Sequence, residues 1–93
     1  MKSTLWNVSF TDDADKTLAK LDKPIRERIR KLARDLETIS NPRLRGEALI
    51  GNLSEFWKYR VGDYRLICRI QDENLLVLVV KIGHRSNIYK KIR

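Results

Sequence analysis

Basic residues alternate with apolar ones between Trp57 and Arg69, in a pattern that suits phosphate chemistry. Gly62-Asp63 in the middle of this stretch is a two-residue hairpin signal, because glycine supplies the positive φ of a tight turn. Successive side chains of a strand point to opposite faces, so one face of the hairpin collects the basic side chains. These are Lys58, Arg60, Arg65 and Arg69.

The predicted register places two like charges directly opposite each other. The expected pairs are Val61 with Tyr64, Arg60 with Arg65, Tyr59 with Leu66, Lys58 with Ile67, and Trp57 with Cys68. Arg60 beside Arg65 costs folding free energy unless an anion lies against the two guanidinium groups. We predict that a phosphate chain does so; the alternative is a solvated sheet face. The opposite face is predicted to be core: Trp57, Tyr59, Val61, Tyr64, Leu66, Cys68 and Ile70.

Local signals predict the elements that hold this hairpin. An opening strand ends at Phe10, Thr11 caps a first helix, and Pro24 lies in the first turn of a second helix. We interpret the mixed-charge face of the second helix as solvated surface. Residues 43–54 form a connecting segment in which Leu44, Leu49 and Leu53 tuck against the body, and the apolar run 75–80 is a strand covered on both faces.

These elements predict a single α+β domain over residues 1–93. It has an N-terminal strand, two antiparallel helices packed on a small, mainly antiparallel sheet, and a short basic C-terminal tail. If the last hairpin turns at Asp72-Glu73, Arg65 lies opposite Val80, and Ile82 and His84 project on the basic side. The end of the last strand then converges with the basic row into one constellation: Lys58, Arg60, Arg65, His84, Arg85 and Tyr89.

The amino-acid composition indicates which kinds of partner the protein can bind. The chain has 93 residues, 20 Lys and Arg against 12 Asp and Glu, and a formal net charge of +8, which favours a polyanionic partner. The one cysteine, Cys68, excludes an internal disulfide, and with one histidine no transition-metal site or cofactor is expected. The start lacks the apolar run of a signal peptide and no apolar run is long enough to span a bilayer, so we expect a cytoplasmic protein with no membrane partner.

RNA supplies its own nucleophile for such a site, because a 2′-hydroxyl can attack the adjacent phosphorus. The protein must orient that hydroxyl, stabilise the charge on phosphorus and assist proton transfer to the 5′-oxygen. Arginine grips phosphate oxygens bidentately, lysine beside other cations can act as a base, and histidine is the residue type that titrates nearest neutral pH. Lys58, Arg65 and His84 are therefore candidates for these tasks.

Several short motifs resemble the RelE toxins of bacterial toxin–antitoxin pairs. They are Leu44-Arg45-Gly46, Lys58-Tyr59-Arg60, Tyr64-Arg65-Leu66, and Gly83-His84-Arg85 through Ile88-Tyr89. The resemblance covers nearly the whole chain and implies a ribosome-dependent endoribonuclease that cuts messenger RNA in the ribosomal A site. It also implies a cognate antitoxin that covers the basic face, and contact with operator DNA only through that antitoxin.

The resemblance also implies residue roles. Arg65 would stabilise the scissile phosphate, Lys58 would serve as or support the general base, Arg85 would stabilise or protonate the leaving group, and Tyr89 would contact the substrate. Further residues are predicted to bind RNA: Arg45, Arg60, Arg69, Lys81, Lys90 and Lys91.

Two departures leave the proton transfers open. Phe56 stands where some RelE proteins have a further lysine, and Glu47 lies in a segment that resembles the YoeB branch, which uses a glutamate base with a histidine acid. Glu47 with His84 is therefore an alternative to Lys58 with Tyr89. Two other functions also stay open: a ParE-like toxin that poisons DNA gyrase without cutting RNA, and a non-catalytic RNA- or ribosome-binding module.

Overall fold

The protein forms a five-stranded sheet with two helices on one face. The computed structural model describes residues 6–53 and 55–88. Within them, in chain order, lie β1 (Asn7–Phe10), α1 (Asp12–Lys20), α2 (Lys23–Leu36), β2 (Glu47–Ala48), β3 (Trp57–Val61), β4 (Tyr64–Gln71) and β5 (Leu76–His84). Short 3-10 turns cover Pro42–Leu44, Gly51–Leu53 and Asp72–Asn74. No helix in the described ranges is long and apolar enough to cross a membrane.

Both helices begin at the predicted signals. Thr11 caps α1, its hydroxyl oxygen accepting a hydrogen bond from the backbone N–H of Ala14 at 3.1 Å. Three aspartates in the first turn of α1 lie at the positive end of its dipole. Pro24 lies in the first turn of α2, where its missing N–H costs nothing.

The sheet has the order β1-β5-β4-β3-β2 and is antiparallel except where β1 pairs with β5. This confirms the predicted α+β fold with a mainly antiparallel sheet. All five predicted residue pairs of the β3–β4 hairpin are present, including Arg60 opposite Arg65. The turn keeps Gly62 at φ +59°, as its two-residue length requires.

The predicted register of the second hairpin was wrong. Arg65 lies opposite Gly83 rather than Val80, His84 lies opposite Tyr64, and Ile82 is buried in the core beneath the helices. Gln71 pairs with Leu76, so the turn spans four residues rather than two and shifts the register by two positions. An irregularity between Ile67 and Cys68 then inserts one extra residue and reverses the parity beyond it. A bulge leaves no compositional mark in a strand of Val, Leu and Ile, so the sequence pattern alone did not reveal it.

The connecting segment contains a strand that the sequence analysis missed. Residues Glu47 and Ala48 pair with Lys58 and Trp57 and add a short edge to the sheet. Leu49 is buried in this segment, whereas Leu44 is 70% exposed, so its predicted packing was wrong. A strand of only two residues is too short to show an alternating sequence pattern.

Apolar residues cover both faces of the sheet. The main core lies beneath α1 and α2, and it includes the predicted inward residues Tyr59, Val61, Leu66 and Cys68. A second, smaller cluster on the other face consists of Leu49, Ile67 and Ile88 with Leu53, Phe56 and Val80 packed against it. Arg60 and Arg65 lie on that face between this second cluster and the hairpin turn.

Candidate functional site

A shallow basic depression lies at the hairpin-turn end of the sheet, on the face away from the helices. It measures about 400 Å³, and we call it the sheet depression. No acidic residue lines it in the described part of the chain. Its lining residues are Lys58, Arg60, Arg65, His84, Arg85 and Ser86.

The predicted constellation is thus assembled from three strands and the segment after β5. Five of its six members line the sheet depression, and the sixth, Tyr89, lies outside the described residues. Ser86 is an additional lining residue that the sequence analysis did not select. Its position two residues after His84, with a short polar side chain suited to a turn, was the available signal.

Arg65 is oriented by the turn that precedes it. Its Nη1 donates to the carbonyl oxygens of Gly62 at 3.1 Å and Tyr64 at 3.0 Å. These bonds leave the Nε and Nη2 donors, which form one edge of the guanidinium fork, for an anion. Since Arg60 lies directly across the strands, a phosphate between the two side chains would relieve their mutual repulsion.

His84 and Arg85 are held beside the hairpin turn. The backbone N–H of Arg85 donates to the Asp63 carbonyl oxygen at 2.8 Å, and its Nε lies 3.7 Å from the Asp63 carboxylate. The His84 ring meets Tyr64 edge-on, with ring centroids 5.7 Å apart. Ser86 N–H donates to His84 Nδ1 at 3.2 Å, so the neutral ring carries its proton on Nε2.

Glu47 contacts Lys58 rather than His84. Glu47 Oε2 lies 3.1 Å from Lys58 Nζ, and the two residues are direct partners across β2 and β3. The hydrogen bond and positive charge of Lys58 hold the pKa of Glu47 below its usual range. Glu47 is separated from His84 by three strand spacings, or about 14 Å between backbones. The structure therefore couples the two candidate bases to each other.

Two side-chain hydrogen bonds, of which the one from Tyr59 is buried, fix the loop that carries Arg45 and Glu47 against β3. The Trp57 indole N–H donates to the carbonyl oxygen of Arg45 at 2.7 Å, and the Tyr59 hydroxyl donates to the carbonyl oxygen of Pro42 at 2.8 Å. Burial raises the pKa of Tyr59, which keeps the phenol protonated as a donor. Gly46 between these bonds has φ +75°, and a Cβ there would overlap the Lys58 carbonyl oxygen.

Replacing Gly46 by alanine is expected to lower the free energy of unfolding by about 1–3 kcal/mol, because the backbone is left-handed and the added methyl group has no space. The displaced loop should also separate Glu47 from Lys58. Chemical denaturation measures the first effect. Gly51→Ala is the matched control for strain alone, since Gly51 has φ +67° with open space around it. Equal losses in the two variants would contradict the predicted steric contribution.

Three other predicted RNA-binding residues that the structure describes, Arg45, Arg69 and Lys81, do not line the sheet depression. Arg69 pairs with Glu55 at 3.6 Å and lies over the Phe56 ring, and Lys81 Nζ pairs with Asp13 on α1 at 2.7 Å. Arg45 faces α2, where its Nη1 lies 3.7 Å from the Asp35 carboxylate. Lys90 and Lys91 lie outside the described residues.

The chemistry that the sheet depression can perform is the binding of phosphate. Arginine and lysine cations surround a space that no carboxylate of the described residues lines, and His84 also lines it. Across residues 6–53 and 55–88, no three His, Cys, Asp or Glu side chains come together as metal ligands. The groups present can stabilise negative charge on phosphorus and exchange protons with neighbouring oxygens.

The chain is similar in sequence and in structure to toxins of bacterial toxin–antitoxin systems. The family described as the ParE toxin of the type II toxin–antitoxin system parDE matches residues 8–89. Toxin RelG of Mycobacterium tuberculosis is 33% identical over 87 residues, covering 92% of this chain and 98% of its own. The mRNA interferase toxin RelE of Escherichia coli is 30% identical over 87 residues, covering 90% of each chain. A crystal structure of the RelBE2 toxin–antitoxin complex from Mycobacterium tuberculosis holds a chain with a TM-score of 0.78 and 32% identity, covering 91% of this chain and 97% of that chain.

Proposed function

This chain belongs to the RelE family of type II toxin–antitoxin toxins, within the RelE/ParE superfamily, and on that premise we propose that it cleaves messenger RNA in the ribosomal A site. The observation that supports cleavage most strongly is the sheet depression, in which Lys58, Arg60, Arg65 and Arg85 surround one space. A relative at 30% identity bears the name mRNA interferase, which favours the same activity. Translation then stops because the message is cut.

In the proposed reaction, the 2′-hydroxyl of the substrate attacks the adjacent phosphorus and the 5′-oxygen of the next nucleotide leaves. The products are a 2′,3′-cyclic phosphate and a free 5′-hydroxyl. Arg65 binds the non-bridging oxygens through Nε and Nη2, and Arg60 binds them from across the strands. We assign Arg85, which also lines the sheet depression, to stabilising the charge on the leaving oxygen or protonating it.

For the proton on the attacking hydroxyl, the geometry favours Lys58 over Glu47. Lys58 lines the sheet depression, whereas Glu47 lies outside it at the edge of the sheet. The lowered pKa of Glu47 makes its carboxylate a weaker base. We assign Lys58 to the proton transfer or its support, and Glu47 to the positioning of Lys58.

The proposed protein partner is an antitoxin with an acidic toxin-binding segment. The net charge of +8 and the uncovered basic depression favour such a segment. The antitoxin would make the operator DNA contacts of the complex. We expect the affinity of toxin for antitoxin to fall as salt rises, as titration at several ionic strengths can measure; an affinity independent of salt would contradict this electrostatic contribution.

Cleavage of programmed ribosomes tests the proposed function. Wild-type protein is expected to cut the message at the A-site codon and leave a 2′,3′-cyclic phosphate, while the same RNA without ribosomes is cut far more slowly. Primer extension locates the ends, and phosphatase or ligase treatment identifies their chemistry. Binding of programmed ribosomes with no cut ends would favour a non-catalytic RNA- or ribosome-binding module.

A gyrase-directed activity is a second candidate, because the matching family is described as the ParE toxin. The arrest phenotype separates the two activities. Immediate loss of protein synthesis on induction favours RNA cleavage, whereas DNA damage with filamentous cells favours gyrase as the target.

A further inference from the structure

A second basic depression lies between α2 and β3. We call it the helix depression; it measures about 210 Å³. Arg28 and Lys31 contribute from α2, and Arg45 and Arg60 from the loop and sheet. Asp35 is the one carboxylate among the described residues that line it, beside the apolar Leu32 and Val61.

The charge balance of the helix depression favours an anion. Lys31 Nζ lies 3.1 Å from the Asp35 carboxylate and Arg45 Nη1 lies 3.7 Å from it, so one negative charge is shared between two cations. Arg28 and Arg60 add two further positive charges. The guanidinium of Arg28 lies over the hairpin turn, since a Cβ built on Gly62 would be 3.2 Å from its Nη1.

The helix depression is continuous with the sheet depression. Arg60 lines both, and a third hollow between them is lined in part by Arg45, Lys58 and Arg60. Glu47, which pairs with Lys58, also lines this third hollow. The edge of β3 is open along this path, because β2 pairs only with Trp57 and Lys58 in the described residues. The hydrogen bond from the Trp57 indole N–H to the Arg45 carbonyl oxygen fixes the loop that lines the outer side of this third hollow.

We propose that the helix depression binds a second phosphodiester of the same RNA strand whose scissile phosphate occupies the sheet depression. This inference rests on the proposed function, and it extends it by assigning Arg28, Lys31 and Arg45 to the RNA backbone. Arg60 lies between the two phosphates and contacts both depressions, so it sets the strand's path around the open edge of β3. Recognition through phosphates is independent of base identity.

Binding of a single-stranded RNA in which every 2′-hydroxyl is replaced by fluorine, which prevents cleavage, tests the helix depression. The variant Arg28→Ala/Lys31→Ala is expected to weaken binding about tenfold at moderate salt. The slope of log affinity against log salt should fall by about 0.7, the contribution of one phosphate of a single strand. The matched control is Arg30→Ala/Arg34→Ala, which removes the same charge from exposed positions of the same helix and should weaken binding less than about twofold.

Three outcomes would overturn the inference: equal losses in the two double variants, no loss in either, or no binding of the RNA by the wild-type protein. Arg28→Ala alone, which leaves both Asp35 ion pairs in place, gives a second measurement should the double variant unfold. Cleavage of programmed ribosomes by the wild type is measured in parallel. Cleavage without a difference between the double variants contradicts only the second phosphate site, and a difference without cleavage contradicts only the proposed nuclease.

Discussion

Replacing Arg65 by alanine is expected to slow cleavage of ribosome-bound message by about 10²–10³-fold. Arg65 lines the sheet depression and its guanidinium is held by two carbonyl oxygens, and such preorganised charge stabilisation has effects of this size. Arg65→Lys keeps the charge but not the bidentate fork, so its rate should lie between those of the wild type and the alanine variant. Single-turnover cleavage on programmed ribosomes measures the rates of the wild type, Arg65→Ala and Arg65→Lys.

The stability of Arg65→Ala distinguishes a role in the reaction from a role in the fold. The substitution removes two hydrogen bonds but also the repulsion between Arg60 and Arg65, so the free energy of unfolding should change by less than about 1 kcal/mol. Arg30→Ala is the matched control, because Arg30 is an exposed arginine of α2 outside both depressions. A cleavage rate of Arg65→Ala equal to that of Arg30→Ala would reject the assigned role.

Replacing Lys58 by alanine should reduce single-turnover cleavage by about 10²–10⁴-fold, the usual range for a group that moves or supports a proton. Glu47→Gln keeps an oxygen that can accept the bond from Lys58 Nζ, so its loss should stay below about tenfold. Lys23→Ala is the matched control, since Lys23 is an exposed lysine that pairs with Glu27 at 3.9 Å. A larger loss in Glu47→Gln than in Lys58→Ala would assign the base to Glu47 and restore the pairing of Glu47 with His84.

The pH profile of Glu47→Gln separates positioning from proton transfer in the same assay. The pKa of Glu47 is below its usual range, so this carboxylate is already ionised throughout about pH 6–8 and loses its charge only at more acid pH. The rate of Glu47→Gln should therefore depend on pH in that window as the wild-type rate does. A change in the shape of the profile there would show that Glu47 titrates within the reaction.

The first hairpin was predictable because its determinants are local. Gly62-Asp63 specifies a two-residue turn, and a turn of known length sets every pair of β3 and β4, including Arg60 with Arg65. The helix starts were predictable for the same reason, since Thr11 and Pro24 act within a single turn of chain. The second hairpin was not, because its turn spans four residues rather than two and an irregularity beside Ile67 shifts the register once more.

The sequence alone determined the chemical character of the site: an excess of cations, their alternation on one strand pair, and motifs that resemble those of the RelE toxins. Tertiary structure decided which of those cations act together. Arg69 and Lys81 carry the same charge as Arg65, yet Glu55 and Asp13 hold them elsewhere, while Arg28 and Lys31 of α2 come to the same edge as Arg60. The physical reason is range: a turn or cap acts over a few neighbouring residues, whereas a charge acts on whatever the folded chain brings within several ångströms of it.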